Sequence, residues 1–133
     1  MARILLVEDN DMNRDMLSRR LQRKGHEVLL AADGMQAILM AESEAPDLIL
    51  LDMSLPVIDG WEAARRLKAS PSTARVPIVA LTAHAMEGDR QRCLDADMDG
   101  YVSKPIKAVE LFEVIDRVIA AATASRSLSG AAV

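Results

Sequence analysis

The sequence predicts an α/β fold: a parallel β-sheet with helices on both faces. Three observations predict it. Residues 48–51, Leu-Ile-Leu-Leu, form a continuous apolar run of strand length, which suits a strand buried on both faces. Shorter apolar runs of the same kind alternate along the chain with segments of helical period. Each apolar run also stops abruptly at polar or turn-forming residues, as Leu51 does at Asp52, before Pro56 and Asp59-Gly60 mark a loop.

Taken in order, residues 4–7 are the first strand, ending in Glu8-Asp9-Asn10-Asp11. From Met12 the period becomes helical, with Met12, Met16, Leu17 and Leu21 on one face and Arg14, Arg19, Arg20 and Arg23 on the rest. Asn10 or Asp11 can cap this helix, and Lys24-Gly25 stops it with glycine at a left-handed position. Residues 28–31 are the second strand, Asp33-Gly34 a turn, and 35–44 a helix with Ala37, Ile38 and Ala41 inward. The third strand is 48–51, and a third helix over 61–68 buries Trp61, Ala64 and Leu67. Residues 76–81 form the fourth strand, 86–96 a fourth helix carrying Cys93, and 100–102 a short fifth strand. Residues 109–122 are the clearest helix, with Leu111, Phe112, Ile115, Val118, Ile119 and Ala122 on one stripe. Five strands and five helices result, joined by right-handed crossovers. The domain is expected over 1–122, with 123–133 a flexible tail.

A chain of 133 residues with net charge −4 and 27% charged side chains has room for one core and no basic patch. This excludes a general nucleic-acid surface. The single cysteine excludes an internal disulfide and reads as a buried thiol, and no apolar stretch reaches membrane-spanning length. With no signal peptide expected, the cytoplasm is the expected location. His26 and His84 stand in no metal-ligand spacing.

The polar residues that follow the strands carry the chemistry. Glu8 and Asp9 follow the first strand, Asp52 the third, Thr82 the fourth and Lys104 the fifth. Taken singly, each has an ordinary use as a cap, a turn or a strand end. Together they meet at one edge of a parallel sheet, outside the carboxyl ends of its strands, where ligands bind in such folds. Three carboxylates there repel one another, and a divalent cation with hard oxygen ligands relieves that repulsion. Lys104 supplies a point charge suited to a phosphoryl oxygen, and Thr82 a hydroxyl donor.

Four motifs in this order, LLVEDN (5–10), LILLDMSLPVIDG (48–60), VALTAHA (79–85) and GYVSKPI (100–106), resemble the response-regulator receiver domains of two-component signalling. The resemblance covers roughly 3–122, nearly the whole chain. It implies a doubly wound, flavodoxin-like five-stranded sheet of order 2-1-3-4-5. It implies Asp52 as phosphoacceptor, taking a phosphoryl group from a histidine kinase, a histidine phosphotransfer protein or a small donor such as acetyl phosphate. Asp9 and Asp52 would bind Mg²⁺ with the Ser54 backbone carbonyl, and Glu8 would act mostly through a metal-bound water. Lys104 would contact the phosphoryl group, Thr82 would close onto it, and Tyr101 matches the aromatic switch position. The Lys104-Pro105 bond would be cis. Ser54 and His84 stand at positions where family members differ and phosphoryl lifetime is tuned, and Asp97 stands where many relatives carry glycine, so a left-handed conformation is expected there.

With no room expected for a DNA-binding output domain after Ala122, output would pass through a protein target docking on the face formed by residues 86–122. A phosphohydrolase of the haloacid dehalogenase type would need a second Asp two residues after the nucleophile, and that place is Ser54. Nucleotide or flavin binders of similar topology would need a glycine-rich phosphate loop, which the chain lacks. A receiver-like scaffold acting without phosphorylation is the alternative the residues leave open.

Overall fold

A computed structural model describes residues 2–55, 58–82 and 98–131, the last eight as helix backbone. Its strands are β1 (Arg3–Val7), β2 (Glu27–Ala31), β3 (Leu48–Asp52), β4 (Ile78–Thr82) and β5 (Gly100–Ser103). Its described helices are α1 (Asp11–Arg23), α2 (Gly34–Glu44), α3 (Gly60–Ala69) and α4 (Ala108–Ala131). All strand pairs are parallel, in the order β2-β1-β3-β4-β5. The helix expected over 86–96 and the readings at His84, Cys93 and Asp97 lie outside the described residues.

Alternation along the strands sorts the core into two layers. Leu5, Ile49, Leu51, Ile78 and Ala80 face Ala37, Ala41, Ala63, Ala64 and Leu67 of α2 and α3. Ile4, Leu6, Leu48, Leu50, Val79 and Leu81 face Leu17 and Leu21 of α1 and Leu111, Ile115 and Val118 of α4. Every residue of β3 and β4 is buried, which is why both strands read as unbroken apolar runs.

The helix ends follow local chemistry. Asn10, Asp33 and Asp59 cap α1, α2 and α3, each side chain accepting a hydrogen bond from the backbone N–H three residues on. Gln36 reaches back to the Ala32 N–H, so two donors at the start of α2 are satisfied reciprocally. Gly25 closes the α1 exit at φ 89°.

Four expectations need correction. Met12 is 82% exposed and Met16 is also exposed, whereas Leu17, Ser18 and Leu21 form the inner face of α1. At about 100° per residue, Met12 lies roughly 140° round the helix from Leu17, off the buried stripe. β4 begins at Ile78 rather than Val76, because Pro77 has no N–H to give the ladder, although its carbonyl accepts from Ile49. Trp61 is only half-buried, and Ala63 takes the inner position expected of it. Helix α4 continues to Ala131, past the boundary at Ala122. Residues 123–131 hold no Pro, and no Gly before Gly130, so the extension meets no strong helix breaker until its last turn.

Candidate functional site

The strand order reverses direction between β1 and β3, so the crevice at their carboxyl ends is the topological switch point. The register pairs Val7 with Leu51, which brings Glu8 and Asp52 to the same level at that edge. Carboxylate oxygens of Glu8, Asp9 and Asp52 all lie within 4.8 Å of one another. Glu8 and Asp52 are each 2% exposed, while Asp9 is on the open side.

Asp52 is heavily engaged. Its Oδ1 accepts a hydrogen bond from the Ser54 backbone N–H at 3.0 Å and from Lys104 Nζ at 3.1 Å. Lys104 crosses from β5, where its own N–H donates to the Thr82 carbonyl at 2.7 Å. The Lys104-Pro105 peptide is cis. Thr82 ends β4 opposite Ser103 and is buried. By alternation it shares a sheet face with Ala80, whose register partner Tyr101 packs half-buried against the same core layer.

Crowding of carboxylates shows in their protonation. Burial raises the Glu8 pKa to about 7, helped by its hydrogen bond to Asp52 and the Asp52 charge, while Lys104 and the Asn10 N–H pull the other way. Burial also opposes ionisation of Asp52. Hydrogen bonds from Glu8, the Ser54 N–H and Lys104, with the Lys104 charge, outweigh it and hold Asp52 below its ordinary value. Below about pH 7 the pair therefore holds a proton on Glu8 while Asp52 is ionised.

The donor set fits a small divalent cation. Three carboxylates converge, and the buried Glu8 Oε2 has no hydrogen-bond partner among the described residues. Hard oxygen donors in that number suit Mg²⁺.

The loop after Asp52 is held by close backbone approach. A Cβ on Gly60 would lie 2.6 Å from the Asp52 carbonyl oxygen and 2.5 Å from Met53 Cα, so only glycine lets α3 start there.

Of the residues singled out in the sequence, Glu8, Asp9, Asp52, Ser54 and Lys104 come together in one cleft, with Thr82 joined through Lys104. His26 stands apart, accepting a hydrogen bond from the Ala2 N–H on its Nδ1. Sequence reading missed Arg14, which reaches the carbonyl oxygen of Glu8 at 2.8 Å. Its spacing from Leu17, Ser18 and Leu21 was the available signal, since it shares their side of the helix.

The sequence matches the family described as response regulator receiver domain over residues 4–116. The polar-differentiation response regulators DivK of Brucella anthropi and Brucella ovis are each 34% identical over 112 residues, covering 84% of this chain and 91% of theirs. Among solved structures, this chain resembles the receiver domain of sensor histidine kinase PA1611 from Pseudomonas aeruginosa PAO1, which has a magnesium ion coordinated in its active-site cleft. That likeness has a TM-score of 0.82 at 46% identity, over 90% of this chain and 98% of that one. The chemotaxis response regulator CheY4 of Vibrio cholerae matches with a TM-score of 0.83 at 31% identity, over 89% and 98% of the two chains. By the extent of both the family match and these likenesses, the chain belongs to the response regulator receiver domain family.

Proposed function

We propose that this receiver domain accepts a phosphoryl group on Asp52 and uses it to switch a protein-binding face. The observation that carries this reading is the buried Asp52 carboxylate paired with Lys104 at 3.1 Å inside a three-carboxylate cluster. Carboxylate is a competent nucleophile for phosphoryl transfer, and catalysis of that reaction is mainly alignment and charge neutralisation.

One Asp52 oxygen attacks phosphorus of a phosphohistidine or acyl phosphate. The new P–O bond forms as the bond to the imidazole nitrogen or acyl oxygen breaks, and the leaving group departs with that electron pair. Lys104 holds its charge against the moving phosphoryl oxygens. The Ser54 N–H keeps the Asp52 carboxylate oriented, and Glu8 lies beside it as a second buried carboxyl group. Asp9, Asp52 and the Ser54 carbonyl would hold Mg²⁺, with Glu8 acting through a water, and the cation would supply charge to offset that of the phosphoryl group. The chain promotes only its own phosphorylation and dephosphorylation and acts on no separate substrate.

A histidine kinase or histidine phosphotransfer protein is the proposed donor, acting in the cytoplasm. Among the described residues no helix is long and apolar enough to cross a membrane. Thr82 moving onto the new phosphoryl oxygens, with Tyr101 following, would pass the signal to a protein target on the 86–122 face. Incubation with acetyl phosphate and Mg²⁺ should give one phosphoryl adduct by intact mass, absent in Asp52→Asn. No adduct from acetyl phosphate or from a panel of kinases would leave a scaffold that works without phosphorylation.

A further inference from the structure

We propose that Arg14 is a positioning residue for the acidic site, locking the Glu8-Asp9 peptide so that both carboxylates point into the cleft. The inference rests on the metal-dependent reading above. Glu8 is the first residue past the end of β1. Its N–H is held by the Ala31 carbonyl at 3.1 Å, but its own carbonyl has left the ladder. Arg14 Nη1 meets that carbonyl at 2.8 Å, while Nη2 binds the Asp11 carboxylate in the first turn of α1. The arginine side chain is 20% exposed, against 68% for Arg19 on the same helix. Glu8 is therefore held at both of its backbone groups, by the sheet through its N–H and by α1 through its carbonyl, and that carbonyl is the one in the Glu8-Asp9 peptide. Asp9 lies on the open side and owes its direction to that peptide. A planar fork with separate donors suits this double task; the single ammonium of lysine cannot span both acceptors.

Charge alone predicts the opposite of positioning. Removing a cation beside three carboxylates should tighten binding of a divalent metal. If Arg14 acts by holding the peptide, Arg14→Met weakens Mg²⁺ binding by about 10-fold, the scale for lost support of a metal's ligands. Arg14→Lys, which keeps the charge and one hydrogen bond, falls between. Arg19→Met, an equal charge change at a residue paired with Asp15 among the described residues, leaves the affinity unweakened.

The test is calorimetric Mg²⁺ titration of the full chain and these variants, with amide NMR shifts of Glu8 and Asp9 recorded before metal is added. Weaker binding in Arg14→Met with shifted Glu8 and Asp9 amides, and an unweakened Arg19→Met, supports the assignment. Equal or tighter binding in Arg14→Met overturns it. Should Arg14→Met fail to fold, Arg14→Lys decides: wild-type affinity overturns the proposal and intermediate affinity supports it. Wild-type protein that binds no Mg²⁺ at all refutes the metal-dependent reading itself, a result separable from wild-type binding that is indifferent to Arg14.

Discussion

Glu8→Gln should stabilise the metal-free protein, and only above about pH 4.5, where the unfolded chain releases the Glu8 proton. The glutamine keeps the shape of a protonated glutamate and its ability to donate toward Asp52, but it has no proton to lose. In the wild type the folded chain holds the Glu8 proton up to about pH 7, whereas an ordinary glutamate releases it near 4.5. Between those values the native state binds more protons than the unfolded state, so wild-type stability falls as pH rises and levels off above about 7. At about 1.4 kcal/mol per pH unit, the gap sets a ceiling of roughly 3 kcal/mol on the loss. Asp52 contributes in the other direction, but its lowered value confines that contribution to acid below the ordinary aspartate range. His26, held below its ordinary value by burial, makes stability rise with pH in the same window. It does so equally in both proteins and cancels in the difference. The assay is urea denaturation in EDTA at intervals from pH 5 to 8.5, followed by circular dichroism. The stability difference between mutant and wild type should grow from pH 5 to about pH 7, by up to about 3 kcal/mol, and then level off. Parallel curves, offset by the same amount at every pH, would show that Glu8 carries no shared proton and refute the reasoning. Mg²⁺ added to the wild type should stabilise it most at high pH, since cation and proton compete for the same oxygens.

Two further outcomes follow from the geometry. Thr82→Ala should still take phosphoryl on Asp52 but transmit it poorly: a full population switch needs about 5.5 kcal/mol, and each hydrogen bond to the charged phosphoryl group supplies roughly 1.5–3 kcal/mol. Amide NMR shifts across 86–122 with beryllofluoride would read this, and wild-type shifts in the mutant would break the coupling between Thr82 and Tyr101. Ala45→Gly should raise stability by about 1 kcal/mol, because Ala45 ends α2 at φ 45° and ψ 62°, a conformation glycine adopts without strain. An unchanged or lower denaturation midpoint would count against it.

The sheet was legible because its central strands are buried on both faces. Residues 48–51 and the core of 78–82 have no alternation to misread, so their burial follows directly from sequence. The acidic cluster was legible for a related reason: parallel strands bring all their carboxyl ends to one edge, so position along each strand stands in for position in space. Helix α1 was harder. Its period is plain, but period does not set rotational phase, and methionine tolerates both exposed and buried positions, so Met12 and Met16 were assigned inward while Arg14 was left to solvent. Contacts between distant segments left no signal. Lys68, near the end of α3, binds the Val76 carbonyl at 3.1 Å and Asp99 at 3.2 Å, and Asp99 also accepts from the Ile78 N–H. Nothing local to Lys68 or Asp99 in the sequence marks them as partners.

Environment alone allocates roles among the carboxylates of the site. Asp52 and Glu8 are equally buried, so desolvation by itself would protonate both. They differ in their partners. Asp52 receives Lys104 and the Ser54 N–H, both of which favour its charge, whereas one oxygen of Glu8 has no hydrogen-bond partner among the described residues. The proton therefore settles on Glu8, and the oxygen nucleophile of the proposed reaction stays ionised near neutral pH without a separate base. This is the general pattern in which two close carboxyl groups acquire different tasks because their surroundings push them apart. Both neighbours of Asp52 bear on its ionisation. Removing the Lys104 charge takes away one of the interactions that hold Asp52 ionised, so the loss falls on the nucleophile. Removing Glu8 takes away a hydrogen bond that also favours the Asp52 charge, so its loss acts on the nucleophile as well as on the balance between proton and cation at the site.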